Sequence, residues 1–393
     1  MSIKFYRPSS TEKFVPHEKD ESEEQANDLS ELKTKLKTAL QMPNIMILAG
    51  SGTSLGKVKG PSMPDLWKFC IEDSSRKAEA DKIISKIKYD LSKPSYQNIE
   101  EFLSYCEAYQ QINECPVLED FLIKSKEIIL DKCKFDKSSS DLFAHMEFIK
   151  KLARRKSKDN RIKLFTTNYD TCFEEAAGKL GITIIDGFTF SAPRIYSPQF
   201  FDYDIIKRDS ISSPNTPKYL DGVFHIYKLH GSVNWFRREE SDGNFTVEQK
   251  ESNDAKNVCM IFPAKGKYQQ SYIQPHLELI AKFLQGIREP NTCLITTGFG
   301  FNDDHLSEPI YAALQSNPHL KLIVVDRSVE RKFQNLESFS PYWKKFKALA
   351  DKGLDILFIE ADFENFAINI PDLKALSPAE NLYQVIHGGT INA

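Results

Sequence analysis

The sequence predicts an α/β protein, a Rossmann-like parallel sheet with helices on both faces and an inserted helical subdomain. Short apolar runs typical of buried strands recur along the chain, and helical patterns such as DTCFEEAAGKL and PHLELIAKFLQGI lie between several of them. Strands that alternate with helices favour a parallel sheet whose two faces are both covered. The predicted strands are NIMILA from Asn44, KLFT from Lys163, TIID from Thr183, FHIYKL from Phe224, CLITT from Cys293, LKLIVV from Leu320 and DILFIE from Asp355.

Three stretches depart from this alternation. Residues from about 64 to 158 are almost all helix-patterned, so we expect a helical insertion between the first two strands of the sheet. Residues from about 188 to 221 are rich in Ser, Pro, Tyr and Phe and predict a long lid-like loop, a kind of segment that often has a function. The stretch SVNWFRREESDGNFTVEQ is typical of a β-hairpin that turns at Asp242-Gly243.

One large domain is expected between two tails. Residues 1–27 are charged and lack apolar periodicity, which predicts a flexible N-terminal tail. The domain then covers residues 28–376, and residues 377–393 are expected to form a C-terminal tail.

The composition argues against several classes of protein. The 393 residues include 52 Lys and Arg against 55 Asp and Glu, and the resulting net charge of -3 argues against direct binding of nucleic acid. No apolar run approaches the roughly 20 residues that span a bilayer. The first residues also lack the apolar segment of a secretory signal. We therefore expect a cytoplasmic protein.

The seven cysteines are not spaced for a metal site or a disulfide framework. None of them lies in a C-x-x-C pair, so a structural zinc site is not expected. In a reducing cytoplasm, free and buried thiols are the expected state.

Five polar motifs directly follow predicted strands. In an open parallel sheet, ligands bind beyond the carboxyl ends of the strands, so we expect these motifs to meet at one edge. They are GSGTS at Gly50–Ser54, TNYD from Thr167, HGS from His230, GFGFND from Gly298, and Asp326.

GSGTS has the glycines of a phosphate-binding loop, because glycine lets the backbone approach an anion and present N–H groups to it. A plain strand-to-helix turn explains the motif equally well. Two more specific motifs fail on spacing. A Walker A loop needs Lys followed by Ser or Thr, whereas Val58 follows Lys57, and the dinucleotide fingerprint needs glycine where Leu55 stands. A P-loop NTPase and a Rossmann dehydrogenase of the usual type are therefore disfavoured.

The other motifs each have a functional and a structural interpretation. Asn168 suits either a functional site or a helix N-cap, and Asp303 likewise suits an N-cap. His230 is either a base at a strand end or a satisfied buried histidine. Asp326 suits either the binding of a ribose diol or a solvated carboxylate at the end of a strand.

Together the motifs resemble those of the sirtuin superfamily, which carries G-A-G-x-S, T-x-N-x-D and H-G-S in that order. Here they read GSGTS, TTNYD and HGS. FTTNYD, YKLHGS, FPAKGKY and GFGFND are more similar still to bacterial sirtuin-like proteins of antiphage defence, in particular to the sirtuin-like partner of a HerA-type ATPase. The resemblance covers the chain from about Leu48 to Val325.

The resemblance implies an enzyme that hydrolyses NAD to ADP-ribose and nicotinamide and so depletes NAD in antiviral defence. It implies that Asn168 and His230 are the catalytic pair. It also implies a HerA-type ATPase as partner, a homo-oligomer, NAD as the substrate, and no metal. The expected NAD-binding residues are Gly50, Ser51, Gly52, Thr53, Ser54, Asp170 and Gly298, together with Asp326 from its place after a strand.

Three departures from the sirtuin pattern bear on the reaction. Ser51 replaces an alanine, and Thr167 replaces the glutamine that is common in deacetylating members. The four zinc cysteines of deacetylases are missing, and helices occupy the place of the acyl-peptide module. The missing zinc cysteines and the helices in place of the acyl-peptide module favour cleavage by water over transfer to an acyl-lysine. An NAD-dependent protein deacylase and a non-catalytic NAD or ADP-ribose sensor are the alternatives.

Overall fold

The computed structural model of the chain contains fifteen strands within the residues that it describes. The described residues are 3–7, 14–15, 23–92, 97–135, 137–138, 140–156, 159–207, 218–241, 243–263 and 274–373. The strands are β1 (Lys4–Tyr6), β2 (Phe14–Val15), β3 (Asn44–Ala49), β4 (Lys163–Thr166), β5 (Ile184–Ile185), β6 (Arg194–Ile195), β7 (Ile206–Lys207), β8 (Lys218–Tyr219), β9 (Phe224–Lys228), β10 (Gly231–Glu239), β11 (Phe245–Gln249), β12 (Val258–Met260), β13 (Thr292–Thr297), β14 (Leu320–Asp326) and β15 (Ile356–Glu360).

Nine strands form one sheet in the order β2-β1-β15-β14-β13-β3-β4-β9-β5. The seven strands from β15 to β5 run parallel to their neighbours. In this register, Ile47 lies opposite Ile295 on one side and Leu164 on the other. Parallel neighbours require long crossover connections, which here run through helices. The predicted α/β class with a mostly parallel sheet is confirmed.

Alternate residues of the strands are buried on opposite faces of this sheet. In β3, Met46 and Leu48 join one apolar core, whereas Ile45 and Ile47 join the other. Full burial of such a side chain stabilises the fold by about 1.5–3 kcal/mol, so both faces need a helical layer. The helices are α1 (Glu23–Ala39), α2 (Met63–Trp67), α3 (Lys77–Ile87), α4 (Ile99–Asn113), α5 (Pro116–Cys133), α6 (Phe143–Leu152), α7 (Cys172–Leu180), α8 (His276–Gly286), α9 (Asp304–Ser316), α10 (Val329–Gln334), α11 (Pro341–Asp351) and α12 (Phe363–Asn369).

The two helical layers are drawn from different parts of the chain. Helices α8, α9 and α11 cover the first face, through side chains such as Phe283 and Phe346. Helices α1, α6, α7 and α12 cover the second face, through side chains such as Leu36 and Phe148. All seven cysteines are buried and unpaired. In the part of the chain that the structure describes, no helix combines the length and the apolar character needed to cross a membrane.

The helical insertion is shorter than the predicted residues 64–158. Helices α2 to α5 share an apolar core that is separate from the two cores on the main sheet, and in it the rings of Phe102 and Phe121 lie 6.0 Å apart. Helix α6 instead joins the layer on the main sheet, because Phe148 packs with the rings of α7 and α12. Helical periodicity predicts that a segment is a helix, but it does not say which layer the apolar face will contact.

A second sheet, of order β12-β10-β11-β6, packs against the insertion. Strands β10 and β11 pair antiparallel, with Glu239 opposite Phe245, which confirms the predicted hairpin. Gly243 in its turn has a φ of +80°, a value that favours glycine. Asp242 lies outside the described residues.

The first residues of the chain differ from the predicted flexible tail over 1–27. Lys4–Tyr6 form β1, which pairs antiparallel with β15. Phe5 and Tyr6 are buried, and this apolar contact explains why the charged composition of the segment was misleading. Helix α1 begins at Glu23, before the predicted start of the domain. The predicted C-terminal tail, 377–393, lies outside the described residues.

The described part of the lid-like segment joins the second sheet through β6 and packs on the main sheet through Phe201. Strand β6 pairs with β11, and both Phe188 and Phe201 are buried. The ring of Phe201 stacks on Tyr227 in β9 with ring centroids 4.2 Å apart. Aromatic packing therefore holds this stretch against the sheet.

Candidate functional site

The polar motifs meet at the carboxyl edge of the main sheet, as predicted. Ala49 lies opposite Thr166 in β4 and Thr297 in β13, so the residues that follow these strands start from the same level. Strands β9 and β14 extend the same parallel set. The edge therefore brings together segments that are far apart in the chain.

Glycine is required where the GSGTS loop touches the turn after β13. A Cβ atom on Gly50 would lie 2.6 Å from the Gly298 carbonyl oxygen, and one on Gly52 would lie 2.6 Å from the Gly298 Cα. Gly298 itself has a φ of +61°, and its Cβ would lie 2.5 Å from the Thr53 nitrogen. The glycines thus allow two stretches of backbone to touch.

This contact corrects part of the phosphate-loop prediction. The Gly50 and Gly52 N–H groups donate to the carbonyls of Thr297 (3.0 Å) and Gly298 (2.9 Å). Those of Thr53 and Ser54 donate to carbonyls within the loop. These four N–H groups already have backbone acceptors, so they do not form the expected row of donors for an anion.

The amide of Asn168 is held in place by the loop. Its Nδ2 donates to the hydroxyls of Thr53 and Ser54, both at 3.0 Å. Asn168 is 7% exposed, and its Oδ1 has no hydrogen-bond partner among the described residues. The N-cap interpretation is wrong, because helix α7 has Thr171 at that position. The side chain therefore offers one fixed acceptor.

The carboxylate of Asp170 holds Ser54, and through it the amide of Asn168, in place. It accepts from Ser54 Oγ at 2.8 Å and from the Cys172 N–H at 3.0 Å. Lys228, a buried residue of β9, donates to the backbone oxygen of Asp170. Burial alone would raise the pKa of Asp170, but the Lys228 charge and the hydrogen bonds from Cys172 outweigh it and lower the pKa below its usual value. The Asp170 carboxylate is therefore charged and connects the GSGTS loop to the start of α7.

His230 lies between β9 and β10 and is 2% exposed. Its carbonyl accepts from the Ile261 N–H at 2.9 Å, which fixes its backbone. The next residue, Gly231, has a φ of +80°, and a Cβ there would lie 2.0 Å from the Cys259 carbonyl oxygen. The turn that aims His230 at the edge of the sheet therefore requires glycine.

A second histidine lies against His230. The Nε2 atoms of His230 and His305 are 3.1 Å apart. Asp303 stands at the N-cap position of α9, as predicted, but its side chain makes no capping hydrogen bond. Instead, one of its carboxylate oxygens and one ring nitrogen of each histidine all lie within 4.8 Å of one another. Two imidazoles and a carboxylate are also a set that could hold a divalent cation.

Two connected clefts open at this edge. The inner cleft, of about 160 Å³, is lined by both Asn168 and His230. The outer cleft, of about 820 Å³, is lined by Asp326 and by the basic residues Arg327 and Arg331. The clefts share the lining residues Ser51, Gly298, Gly300 and Asn302.

No described residue of the lid-like segment lines either cleft. The inner cleft is instead bordered by the helical insertion, through Met63, Leu66 and Glu100. The described stretch therefore does not support the predicted lid, and the wall of the inner cleft comes from the insertion.

Asp326 is not a solvated carboxylate. One of its oxygens accepts from the N–H and hydroxyl of Ser328, and the other accepts from Lys332 Nζ at 2.6 Å. Lys332 is buried, with Nζ 4.2 Å from the ring centroid of Trp343, and burial lowers its pKa. Asp326 thus ends β14, holds the turn that leads into α10, and faces the outer cleft with its charge neutralised by Lys332. The ribose contact stays a prediction.

About half of the chain matches the model of a known protein family. Residues 163–356 match the model of the SIR2-like domain. The match supports a sirtuin-like fold and an NAD-dependent, sirtuin-type activity. It starts at β4, so the GSGTS loop lies outside the matched residues. No curated protein matches the chain.

Solved Sir2 structures are also similar to the chain. A mutant Sir2 homologue in complex with 2'-O-acetyl ADP ribose is 12% identical, with a TM-score of 0.42, over 88% of this chain and 99% of that chain. A Sir2 bound to an acetylated peptide is 12% identical, with a TM-score of 0.41, over 86% of this chain and 96% of that chain.

Sequence reasoning assigned no role to several residues of this edge. His305 is visible in the run GFGFNDDH, two residues after the predicted Asp303, but a histidine inside a helix gives no signal of its own. Arg327 and Arg331 follow the predicted Asp326 in DRSVER, and a basic cluster directly after a strand end was the available clue. The FPAKGKY motif lies mostly outside the described residues.

Proposed function

We propose that the chain is an NAD glycohydrolase, which cleaves the nicotinamide–ribose bond and releases nicotinamide and ADP-ribose. The observation that carries the proposal is that Asn168 and His230 line one cleft, which joins a larger cleft across Ser51 and Gly298. The match of residues 163–356 to the SIR2-like domain supports NAD as the substrate.

The chemistry of the leaving group fits this pair of side chains. Nicotinamide is cationic when attached to ribose and neutral when it leaves, so it needs no general acid, unlike a sugar leaving group. The ribose becomes electron-poor as the bond breaks. The Asn168 Oδ1, which keeps its charge state near neutral pH, would position the ribose or the attacking water. His230 would accept the proton that water or a ribose hydroxyl loses.

The two clefts suit the two halves of the dinucleotide. The inner cleft would hold the nicotinamide riboside next to Asn168 and His230. The outer cleft would hold the ADP half, with Arg327 and Arg331 near the phosphates. Since four N–H groups of the GSGTS loop are already engaged, the phosphate charge would be neutralised by these side chains.

Hydrolysis is favoured over acyl transfer. The part of the chain that would carry an acyl-peptide module is a helical insertion, whose apolar core is shared with the second sheet. All seven cysteines are buried and none lies in a C-x-x-C pair, so they offer no structural zinc site of the deacetylase kind. Water is then the acceptor of the ribosyl group.

The test is NAD turnover by the purified chain, with released nicotinamide as the readout. Asn168→Ala and His230→Ala should each lower turnover by at least about 100-fold. His225→Gln is the matched control, because His225 is a buried histidine near the opposite end of β9 and should keep turnover. Full activity in both site variants would contradict the proposal. Turnover that needs an acetylated peptide would identify a deacylase, and NAD binding without turnover would identify a sensor.

The biological part of the proposal is that NAD depletion serves antiviral defence in the cytoplasm. A permanently active NAD hydrolase would harm its own cell, so we expect assembly as a homo-oligomer with a HerA-type ATPase to control activity. Nicotinamide release should be compared for the chain alone and for the chain mixed with a HerA-type ATPase. Equal rates at every ratio of the two proteins would contradict control by this partner.

A further inference from the structure

The two histidines at the edge of the inner cleft, His230 and His305, are both buried and lie against each other. His230 and His305 are 2% and 7% exposed, so neither ring is solvated by bulk water. They come from separate parts of the chain, since His230 follows β9 and His305 lies in the first turn of α9. Buried ring nitrogens need hydrogen-bond partners, and here the rings approach each other.

The geometry of the pair indicates a direct N–H···N hydrogen bond. The Nε2 atoms are 3.1 Å apart and the ring centroids are 5.2 Å apart. Both nitrogens therefore lie between the two ring centres, and each is aimed at the other. A hydrogen bond of this kind holds one proton, which sits on the Nε2 of one ring while the Nε2 of the other ring accepts.

Only one of the two arrangements leaves His230 able to act as a base. If the shared proton belonged to His305, the neutral His230 would carry its own proton on Nδ1 and would use its Nε2 lone pair to accept from His305. If the proton belongs to His230 Nε2, the lone pair of His230 is on Nδ1. Which tautomer a histidine adopts is set by the hydrogen bond of its other nitrogen.

We infer that His305 is the positioning residue of His230, and that it holds His230 in the tautomer protonated at Nε2. This rests on the proposed function, in which His230 is the base. It makes Nδ1 the nitrogen that takes the proton from water or a ribose hydroxyl. Asp303, whose carboxylate belongs to the same cluster, stabilises the positive charge that follows.

The proton transfers balance along this pair. The O–H bond of the attacking water or ribose hydroxyl breaks, and an N–H bond forms at His230 Nδ1. The Nε2–H bond of His230 then breaks, and an N–H bond forms at His305 Nε2. His230 is again neutral, and His305 becomes the imidazolium beside Asp303. The charge thus moves one residue away from the departing nicotinamide.

The first test is the ring ¹⁵N spectrum of the full chain with labelled histidine. His230→Gln assigns the His230 signals, which should show a protonated Nε2 and an unprotonated Nδ1. His305→Ala should convert them to the averaged pattern of two exchanging tautomers. A His230 protonated at Nδ1, or a tautomer unchanged in His305→Ala, would overturn the inference. This readout needs no turnover, so it fails independently of the proposed NAD hydrolysis.

The second test is kinetic. His305→Ala should lower kcat for NAD by about 10- to 100-fold and leave KM within about twofold, because it changes the base and not the binding cleft. His305→Gln, whose amide oxygen can still accept from Nε2–H, should recover most of the loss. His225→Gln is the control for removing a buried histidine and should keep kcat.

A bound cation is the competing explanation of this cluster. Metal analysis of the purified chain should find less than about 0.1 equivalent of zinc, and turnover should be insensitive to a chelator. One equivalent of zinc that is lost in both His230→Ala and His305→Ala would overturn the inference, since both nitrogens would then be ligands.

Discussion

The hydroxyl of Ser54 connects the carboxylate of Asp170 to the side-chain amide of Asn168. Its Oγ donates to Asp170 Oδ2 at 2.8 Å and accepts from Asn168 Nδ2 at 3.0 Å. Thr53 makes the second contact with Asn168, also at 3.0 Å. A buried carboxylate, a loop hydroxyl and an amide thus form one chain of hydrogen bonds, which leaves the Asn168 Oδ1 pointing in a single direction.

Ser54→Ala should lower kcat for NAD about tenfold, because it removes one of two hydrogen bonds that orient the Asn168 amide. Steady-state nicotinamide release measures this. Ser316→Ala is the control, since Ser316 bonds only within helix α9, to the Ala312 and Ala313 carbonyls. Equal kcat in Ser54→Ala and the wild type would mean that Thr53 alone fixes the amide.

Gly298→Ala should lower the free energy of unfolding by more than about 3 kcal/mol. The residue has a φ of +61°, and the added Cβ would lie 2.5 Å from the Thr53 nitrogen. Gly353→Ala separates the effect of the positive φ from the effect of the steric contact. Gly353 has a φ of +90° but no atom within 4 Å of the added Cβ. That control should lose only about 1–2 kcal/mol. Urea unfolding measures both, and equal losses would contradict a close contact at Gly298.

His145→Leu should make the protein less sensitive to mild acid. Burial lowers the pKa of His145 from 6.5 to about 4, and the side chain lies between the rings of Phe173 and Phe363. Between about pH 6.5 and pH 4, His145 is protonated in the unfolded chain but neutral in the folded chain. The folded state therefore loses about 1.4 kcal/mol per pH unit in that window from this residue.

Chemical unfolding at pH 6.5 and pH 5 measures the effect, and His145→Leu should lose about 2 kcal/mol less stability than the wild type over that interval. Ile149→Val, on the same helix, should lower the unfolding free energy equally at both values. Burial also lowers the pKa of His225 and of His276 to about 4, so the variant keeps part of the acid sensitivity. An unchanged pH dependence would show that His145 is not the group that rejects the proton.

Arg331→Ala and Arg327→Ala should each raise KM for NAD about tenfold, because they remove positive charge from the outer cleft. The wild-type KM should also rise with salt more steeply than that of the double variant. Arg238→Ala, at an exposed position of the hairpin, should leave KM unchanged. A KM that is the same in all three variants would mean that the phosphates bind elsewhere.

The strands and their polar ends could be predicted because parallel strands buried on both faces read as continuous apolar runs. The five polar motifs that follow these runs together predict that polar residues meet at one edge of the sheet. The use of the Gly50 and Gly52 N–H groups could not be predicted, because their acceptors, the carbonyls of Thr297 and Gly298, are far away in the sequence. Local spacing gives no information about such a partner.

The insertion and the histidine pair show the same limit. The periodicity of α6 predicts a helix, but Phe148 packs on the main sheet because of where α7 and α12 lie. His305 is an ordinary helical residue until β9 places His230 beside it. The packing of α6 and the contact between the two histidines both depend on the tertiary structure, which cannot be derived from local patterns in a single sequence.

The mixed origin of the inner cleft has a mechanical consequence. Asn168 and His230 follow strands of the main sheet, whereas Met63, Leu66 and Glu100 belong to the helical insertion, whose apolar core is shared with the second sheet. A small rotation of the insertion together with the second sheet would widen or narrow the inner cleft while every strand of the main sheet keeps its register. A macromolecule that binds the outer surface of the insertion would thereby control the entry of substrate without contacting the cleft.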